Sequence, residues 1–315
     1  MRVYSIPLTT RFRGITVREG ALVEGVAGWG EWSPFVEYPP AEAEAWLRCA
    51  EEAAAGDWPL AVRDAVPVNA TVPVVCPDVA HALVVASGCR TAKVKVADPG
   101  STLADDLARV EAVRDALGPS GRLRVDANAA WSVDQAVAVI GQLDRAAGGL
   151  EYVEQPCASV EDLAAVRRRV SVPIAADESI RRADDPYRVR DLEAADIAVL
   201  KVQPLGGVRA CLRIAQDIGM PVVVSSALET SLGLAAALPR LDHACGLATR
   251  SLLTGDVAFP ELVPVDGMLP VTLPHVVPAL ADAVAAPAER IAWWEKRLAD
   301  VLAFRAAGAM REDRR

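Results

Sequence analysis

"LRVDAN" (123–128), "YVEQP" (152–156) and "PIAADES" (173–179) are short apolar runs, each closed by an acid: Asp126, Glu154 and Asp177. The acids stand 28 and 23 residues apart, close to the roughly 30 residues of one βαβ unit. The runs therefore read as successive parallel strands joined by right-handed helical crossovers. Further runs extend the series on both sides: "AKVKV" (92–96), "IAVLKV" (197–202), "PVVVSS" (221–226) and "HACGL" (243–247). Their functional ends, Lys95, Asp126, Glu154, Asp177, Lys201 and Ser225, are spaced by 31, 28, 23, 24 and 24 residues. A repeat that regular predicts an α/β fold in which a β/α barrel gathers the carboxyl ends of its strands at one mouth.

The chain before this repeat has another texture. "VYSIPL", "GITVREGALVEGV" and "GWGEWSPF" alternate apolar and polar residues between glycines, as a small antiparallel sheet does. Ala41 to Ala55 reads as a helix burying Ala43, Trp46, Leu47, Ala50 and Ala54, ended by "GDWP". A barrel alone takes about 250 residues, so 315 residues leave room for an extra unit. The expected division is an α+β cap over 1–88, the barrel over 89–280, and a helical segment over 281–315 that packs back on the cap. Between strands, Ser132 with Gln135 forms a capping box, and Ser101 or Thr102 starts a helix whose Leu103, Leu107, Val110 and Val113 share a face.

Composition narrows the function classes. A net charge of −9, with no basic stripe beyond Arg167–Arg169 and the terminal "REDRR", argues against a nucleic-acid partner. No uncharged run reaches the roughly 18 residues that span a bilayer, and "MRVYSIPLTTRFR" has no apolar signal core, so the expectation is a cytoplasmic protein without a membrane partner. Six cysteines lack CxxC spacing and only three histidines accompany them, which predicts buried thiols rather than a zinc site. The sequence leaves the oligomeric state open, a monomer included.

Three carboxylates on neighbouring strand ends make a hard, oxygen-rich site suited to Mg²⁺, with Mn²⁺ as a substitute. Each acid alone would serve equally as a helix cap, but capping does not require all three beside lysines. Lys93 and Lys95 alternate onto one face of their strand and point at the same mouth, and Lys201 ends an apolar run where only a ligand pocket explains a cation. An ammonium crowded by another cation loses basicity, as a lysine general base near neutral pH requires. Asn128 is expected near the metal, and Glu178 is expected to orient Lys201 or a ligand. Arg124 shares the parity of Asp126 and is expected deeper in the barrel, salt-bridged. "SSALETSLG" (225–233), with Ser225, Ser226, Glu229, Thr230 and Ser231, offers hydroxyls and backbone N–H groups to a substrate carboxylate, unless the hydroxyls merely cap a helix. "PLGG" (204–207) reads as a turn.

K-x-K at 93–95, D-A-N at 126–128, E-Q-P at 154–156, D-E-S at 177–179 and K-x-Q-P at 201–204 occur in the order of the enolase superfamily, which the chain resembles over nearly its whole length. It is most similar to the muconate lactonizing enzyme subgroup, and "RFRGITVREG" (11–20), "GWGEWSPF" (28–35), "NATVP" (69–73) and "SSALETSLG" resemble that subgroup's menaquinone-pathway dehydratases. The resemblance implies a modified (β/α)7β barrel of TIM type with an N-terminal α+β cap, and a lyase reaction. It implies Asp126, Glu154 and Asp177 as Mg²⁺ ligands, Lys95 as base and Lys201 as the opposing lysine. The implied partner is a small-molecule carboxylate, 2-succinyl-6-hydroxy-2,4-cyclohexadiene-1-carboxylate, which would lose water after removal of the proton α to its carboxylate. Two lysines on opposite faces also suit racemisation or epimerisation of N-acylamino acids or dipeptides. Muconate cycloisomerisation would use the same groups. A binding role without catalysis would leave the lysines unexplained.

Overall fold

Tyr4 and Ile6 are buried while their neighbours Ser5 and Pro7 face outward, the alternation of a sheet with one face in the core. β1 (Arg2–Phe12), β2 (Ile15–Gly25) and β3 (Gly28–Trp32) form a three-stranded antiparallel meander. Its first turn, Arg13–Gly14, has positive φ at both residues (50° and 79°), as a tight two-residue hairpin requires. The computed structural model describes residues 1–59, 61–182, 185–235 and 243–312.

α1 (Pro40–Ala54) begins with proline in its first turn, where a missing N–H costs nothing, and buries Ala43, Trp46, Leu47, Ala50 and Ala54, the expected stripe. β3 crosses it closely: a Cβ on Gly30 would collide with the Ala50 carbonyl, so only glycine fits there.

Beyond β4 (Ala65–Pro67) the chain alternates. β5 (Ala70–Val72), α2 (Pro77–Ser87), β6 (Thr91–Lys95), α3 (Leu103–Leu117), β7 (Arg122–Asp126), α4 (Val133–Ala147), β8 (Tyr152–Glu154), α5 (Val160–Arg167) and β9 (Ile174–Ala176) follow one another. Then come the short α6 (Glu178–Arg181) and α7 (Arg188–Asp191), β10 (Ile197–Leu200), α8 (Val208–Asp217), β11 (Val222–Val224) and α9 (Ser231–Leu234). The capping boxes are in place: Ser132 with Gln135 on α4, and Thr102 with Asp105 on α3.

β5 to β11 form one seven-stranded sheet in sequence order, parallel throughout. The eighth segment, expected as a strand over 243–247, pairs through single residues: Cys245 bridges Val68 and Gly246 bridges Ser225, both in parallel. Those bridges join the two edges and close the barrel. The barrel sheet also starts earlier than residue 89, because Ala70–Val72 is its first strand. Three residues inside "PVNATVPVV" are too few to show a period of two, which is why the sequence conceals this strand.

Side chains of alternate parity fill the barrel. Tyr152, Ala175, Ile197, Val199 and Val223 pack together inside it, and each large apolar member contributes about 1.5–3 kcal/mol by leaving water. Lys93, Lys95, Arg124, Asp126 and Glu154 share that parity above and below, so the fold places charge inside the mouth by register alone.

The remaining chain carries β12 (Ala258–Phe259), β13 (Met268–Pro270), β14 (His275–Val276), α10 (Pro278–Ala283) and α11 (Ala288–Glu312). α11 lies against the cap: Trp294 meets Trp32 edge to face at 5.3 Å, Arg290 pairs with Glu19, and Arg305 reaches Glu44 and Glu51 of α1. No helix among the described residues is long and apolar enough to cross a membrane.

Candidate active site

Pairing between strands sets the site. Lys95 of β6 stands opposite Asp126 of β7, and Asp126 opposite Glu154 of β8, so three charged residues occupy neighbouring positions at one rim. Asp177 follows β9 directly and is fully buried, as is Glu154, while Asp126 is 1% exposed. Above them opens a cleft of about 490 Å³, mouth included, lined by Lys93, Lys95 and Lys201 from the barrel and by Phe12, Arg13 and Phe35 from the cap.

The ammonium groups hold the carboxylates. Lys93 Nζ lies 2.7 and 2.9 Å from the two Glu154 oxygens and 3.3 Å from Asp126 Oδ2. Lys95 Nζ donates to Asp126 Oδ2 at 2.5 Å and to Asn128 Oδ1 at 2.8 Å. Lys201 Nζ donates to Asp177 Oδ2 at 2.6 Å, and Arg181 Nε takes Asp177 Oδ1 at 2.7 Å. Among the described residues no three His, Cys, Asp or Glu side chains are drawn together into a metal cage. The donor set nevertheless fits a divalent cation: carboxylates on three adjacent strand ends, paired with the ammoniums of Lys93, Lys95 and Lys201 and, at Asp177, with Arg181.

Electrostatics separates the residues. Burial lowers the basicity of Lys95 and the charge of Lys93 adds to it, against the pull of Asp126. Burial would lower Lys93 too, but the Glu154 and Asp126 charges prevail and raise it. Asp126 and Asp177 resist burial and are held well below the usual carboxylate range, Asp126 by Lys95 and Lys93, Asp177 by Arg181 and Lys201. Burial and then the Asp126 charge push Glu154 up to about 7, with Lys93 opposing them. Three acids in one dry site repel one another, and an added positive charge relieves that repulsion.

The backbone is unusual at the same place. Asn128, Ala129 and Gln155 have φ of 46°, 66° and 40°, conformations costly for residues other than glycine and found at sites the surroundings over-determine. Gln155 supplies part of that constraint. Its side-chain oxygen accepts from the backbone of Asp177 and Ser179, and its amide nitrogen donates to Cys157 O and Ser179 Oγ. It sat inside the E-Q-P motif without a role read from it.

Other expected residues lie in differing places. Asn128 bridges Lys95 and Glu178, its Nδ2 being 3.3 Å from Glu178 Oε1. Glu178, expected to orient Lys201 or a ligand, binds Arg181 through Oε1 at 2.6 Å, because one turn of α6 brings i and i+3 together. Arg124 is fully buried below the acids, with Nε 2.5 Å from Glu151 Oε2 and Nη1 on Asn69 and the Ala244 carbonyl.

Ser225 and Ser226 line the cleft, but Glu229, Thr230 and Ser231 do not. Glu229 accepts from Ser226 Oγ and Ala227 N, Thr230 gives its hydroxyl and N–H to Glu31 of the cap, and Ser231 gives its hydroxyl to Asp256. The hydroxyl protons of Thr230 and Ser231, already given to Glu31 and Asp256, are not left to give to a substrate carboxylate. Arg18 completes this clamp by donating to the carbonyls of Leu228 and Ala227. Arg18 lies within "RFRGITVREG" and Glu31 within "GWGEWSPF", but what each does is visible only through contacts about 200 residues away in the chain.

Comparison with known proteins gives this geometry relatives. The enolase N-terminal domain-like family matches residues 3–54 and the enolase C-terminal domain-like family residues 77–275. Among solved structures, the muconate lactonizing enzyme from Pseudomonas fluorescens superposes with a TM-score of 0.77 at 21% identity, over 90% of this chain and 97% of that one. The L-Ala-D/L-Glu epimerase from Bacillus subtilis gives 0.73 at 23%, over 87% and 95%. At such identities the likeness establishes the barrel-and-cap fold. Sequence relatives go further: the o-succinylbenzoate synthase of Thermobifida fusca is 63% identical over 95% of this chain and 94% of its own length, and that of Mycolicibacterium smegmatis 57% over the same shares. This chain belongs to the o-succinylbenzoate synthase family of the enolase superfamily.

Proposed function

We propose that the cleft dehydrates 2-succinyl-6-hydroxy-2,4-cyclohexadiene-1-carboxylate to o-succinylbenzoate, on the route to menaquinone in the cytoplasm. Asp126, Glu154 and Asp177 would hold one Mg²⁺, for which Mn²⁺ can substitute, and the bound cation would supply positive charge to the substrate carboxylate as its α-carbon becomes anionic. Lys95, whose basicity burial and Lys93 lower, takes the α-proton. Lys201, across the barrel, faces the developing enediolate and supports its charge. The electron pair freed from the C–H bond forms the ring double bond as the C6–O bond breaks, and the ammonium formed on Lys95 returns the proton to the departing hydroxyl. Water leaves and the ring becomes aromatic, which drives the step. Phe12 and Phe35 of the cap wall the cleft and keep bulk water from the anion.

One observation carries this reading: two lysines on opposite sides of the barrel face one cleft above three buried carboxylates. Turnover of the cyclohexadiene carboxylate, followed by ultraviolet absorbance with Mg²⁺ and with a chelator, tests it. Metal-dependent aromatisation, lost in Lys95→Ala, is the expected result. Active, metal-loaded protein that leaves this substrate untouched would sink the assignment, and exchange of α-protons of N-acylamino acids in D₂O would then favour the racemase.

A further inference from the structure

Arg181 is one cation with three partners. It is 8% exposed, and its Nε lies 2.7 Å from Asp177 Oδ1, its Nη2 2.6 Å from Glu178 Oε1 and its Nη1 2.6 Å from the hydroxyl of Tyr38. Two of these partners belong to the barrel mouth, and Tyr38 belongs to the cap. Two carboxylates already satisfy the charge of Arg181. The phenolic oxygen adds no charge, so what it contributes is direction: with three bonds the guanidinium plane cannot turn.

Tyr38 is itself held. Its ring is 4% exposed and lies edge to face with Phe35 at 5.8 Å and Trp46 at 6.1 Å, while Arg182 sits 4.8 Å above it. The same hydroxyl accepts from Arg13 Nη2 at 3.0 Å, and Arg13 lies 3.9 Å over Phe35 on the wall of the cleft. A continuous series of hydrogen bonds thus runs from the cap turn over the mouth, through Tyr38 and Arg181, to Asp177. Since Arg181 occupies Oδ1, the oxygen that Asp177 offers the site is Oδ2, which Lys201 contacts at 2.6 Å.

We propose that Arg181 is the positioning residue for Asp177, that Tyr38 anchors it from the cap, and that cap docking thereby sets how firmly the acid cluster binds a divalent cation. This deepens the reading above and rests on Asp126, Glu154 and Asp177 being the metal ligands. Groups that orient a ligating side chain are worth 10- to 100-fold in metal affinity. Lysine cannot replace this arginine, because one ammonium cannot present a planar fork to two carboxylates and a phenol.

The experiment is Mn²⁺ titration followed by the electron paramagnetic resonance of the free ion, well below the unfolding temperature, on the wild type, Tyr38→Phe, Arg181→Lys and Trp46→Phe. Tyr38→Phe keeps the aromatic ring and is expected to bind Mn²⁺ about 10-fold more weakly, with kcat recovered at saturating Mn²⁺. Arg181→Lys is expected to weaken binding further. Trp46→Phe disturbs the same aromatic cluster with the hydroxyl intact and is expected to bind as the wild type does. Unchanged affinity in Tyr38→Phe overturns the inference, and so does an equal loss in Trp46→Phe, which would assign the effect to cap packing. A wild type that takes up no Mn²⁺ is a distinguishable failure: it removes the metal reading itself, and this inference with it.

Discussion

Lys95 and Lys201 stand diametrically opposite in the barrel: β6 and the strand leading to Lys201, β10, have three strands between them in one direction, and β11, the 245–246 bridge and β5 in the other. A planar enediolate between them presents one face to each lysine. Only one side needs a base for a dehydration, so the two substitutions should differ in kind. Lys95→Ala is expected to lower kcat by roughly 10²- to 10⁴-fold, with Mn²⁺ binding retained. Lys201→Ala is expected to lower kcat without restoring activity at high pH. Steady-state rates from pH 6 to 10 check both, and a Lys95→Ala enzyme with wild-type kcat would refute the assignment of the base.

Glu31 ties the cap to the loop after β11. Although fully enclosed, its carboxylate accepts from Tyr4 and Ser33 hydroxyls at 2.8 Å each, from Thr230 and from the N–H of Gly233. Glu31→Ala strands these donors in a dry junction, and each unsatisfied group costs about 1–3 kcal/mol. The expected outcome is a loss of several kcal/mol in urea unfolding. Because the same loop carries Ser225 and Ser226 into the cleft, KM is expected to rise more than kcat falls.

Acid stability should report Glu151. Burial would raise its carboxyl, but hydrogen bonds from His243 and the Arg124 charge hold it well below the usual range. A folded-state pKa below the unfolded one means that the stabilisation is present above the unfolded value, about 4.3, and is lost as pH falls toward the folded value. Glu151→Gln leaves Arg124 buried with its charge uncompensated, a loss of about 3–5 kcal/mol near neutral pH. The gap in unfolding free energy between wild type and variant is expected to narrow steadily below pH 4. A gap that stays constant down to pH 2 would exclude this ion pair as its source.

The acid and lysine ends were legible in the sequence because an ionised group terminating an apolar run has so few places to go. Burial at 0–1% for Asp126, Glu154 and Asp177 follows from their register. The 225–233 segment misled for a complementary reason: a hydroxyl available to a substrate and one satisfied inside the protein look identical in sequence. Thr230 and Ser231 are satisfied by Glu31 and Asp256, whose positions only the folded chain reveals. Arg181 was hidden within a helical turn and Tyr38 within a cap loop. Their joint role comes from a contact spanning 143 residues.

Metal removal offers a test of the acid cluster that needs no substrate. A cation that binds only the folded protein stabilises it by about 2.7 kcal/mol at 100 times its Kd. In the protein without cation, Lys93, Lys95 and Lys201 neutralise the acids, so the fold should persist in a chelator and gain unfolding temperature on adding Mg²⁺ or Mn²⁺. Ca²⁺ should give a smaller gain if the cluster is rigid, since the larger ion wants longer bonds and more ligands. Asp126→Asn, Glu154→Gln and Asp177→Asn should each abolish the Mg²⁺ increment, because each removes one of the three charges of the proposed ligand set. Arg124→Met, deeper in the barrel, should lower the unfolding temperature yet keep the increment. If any of the three acid variants retained the full increment, that residue would not be a ligand, and the site would lie elsewhere on the rim.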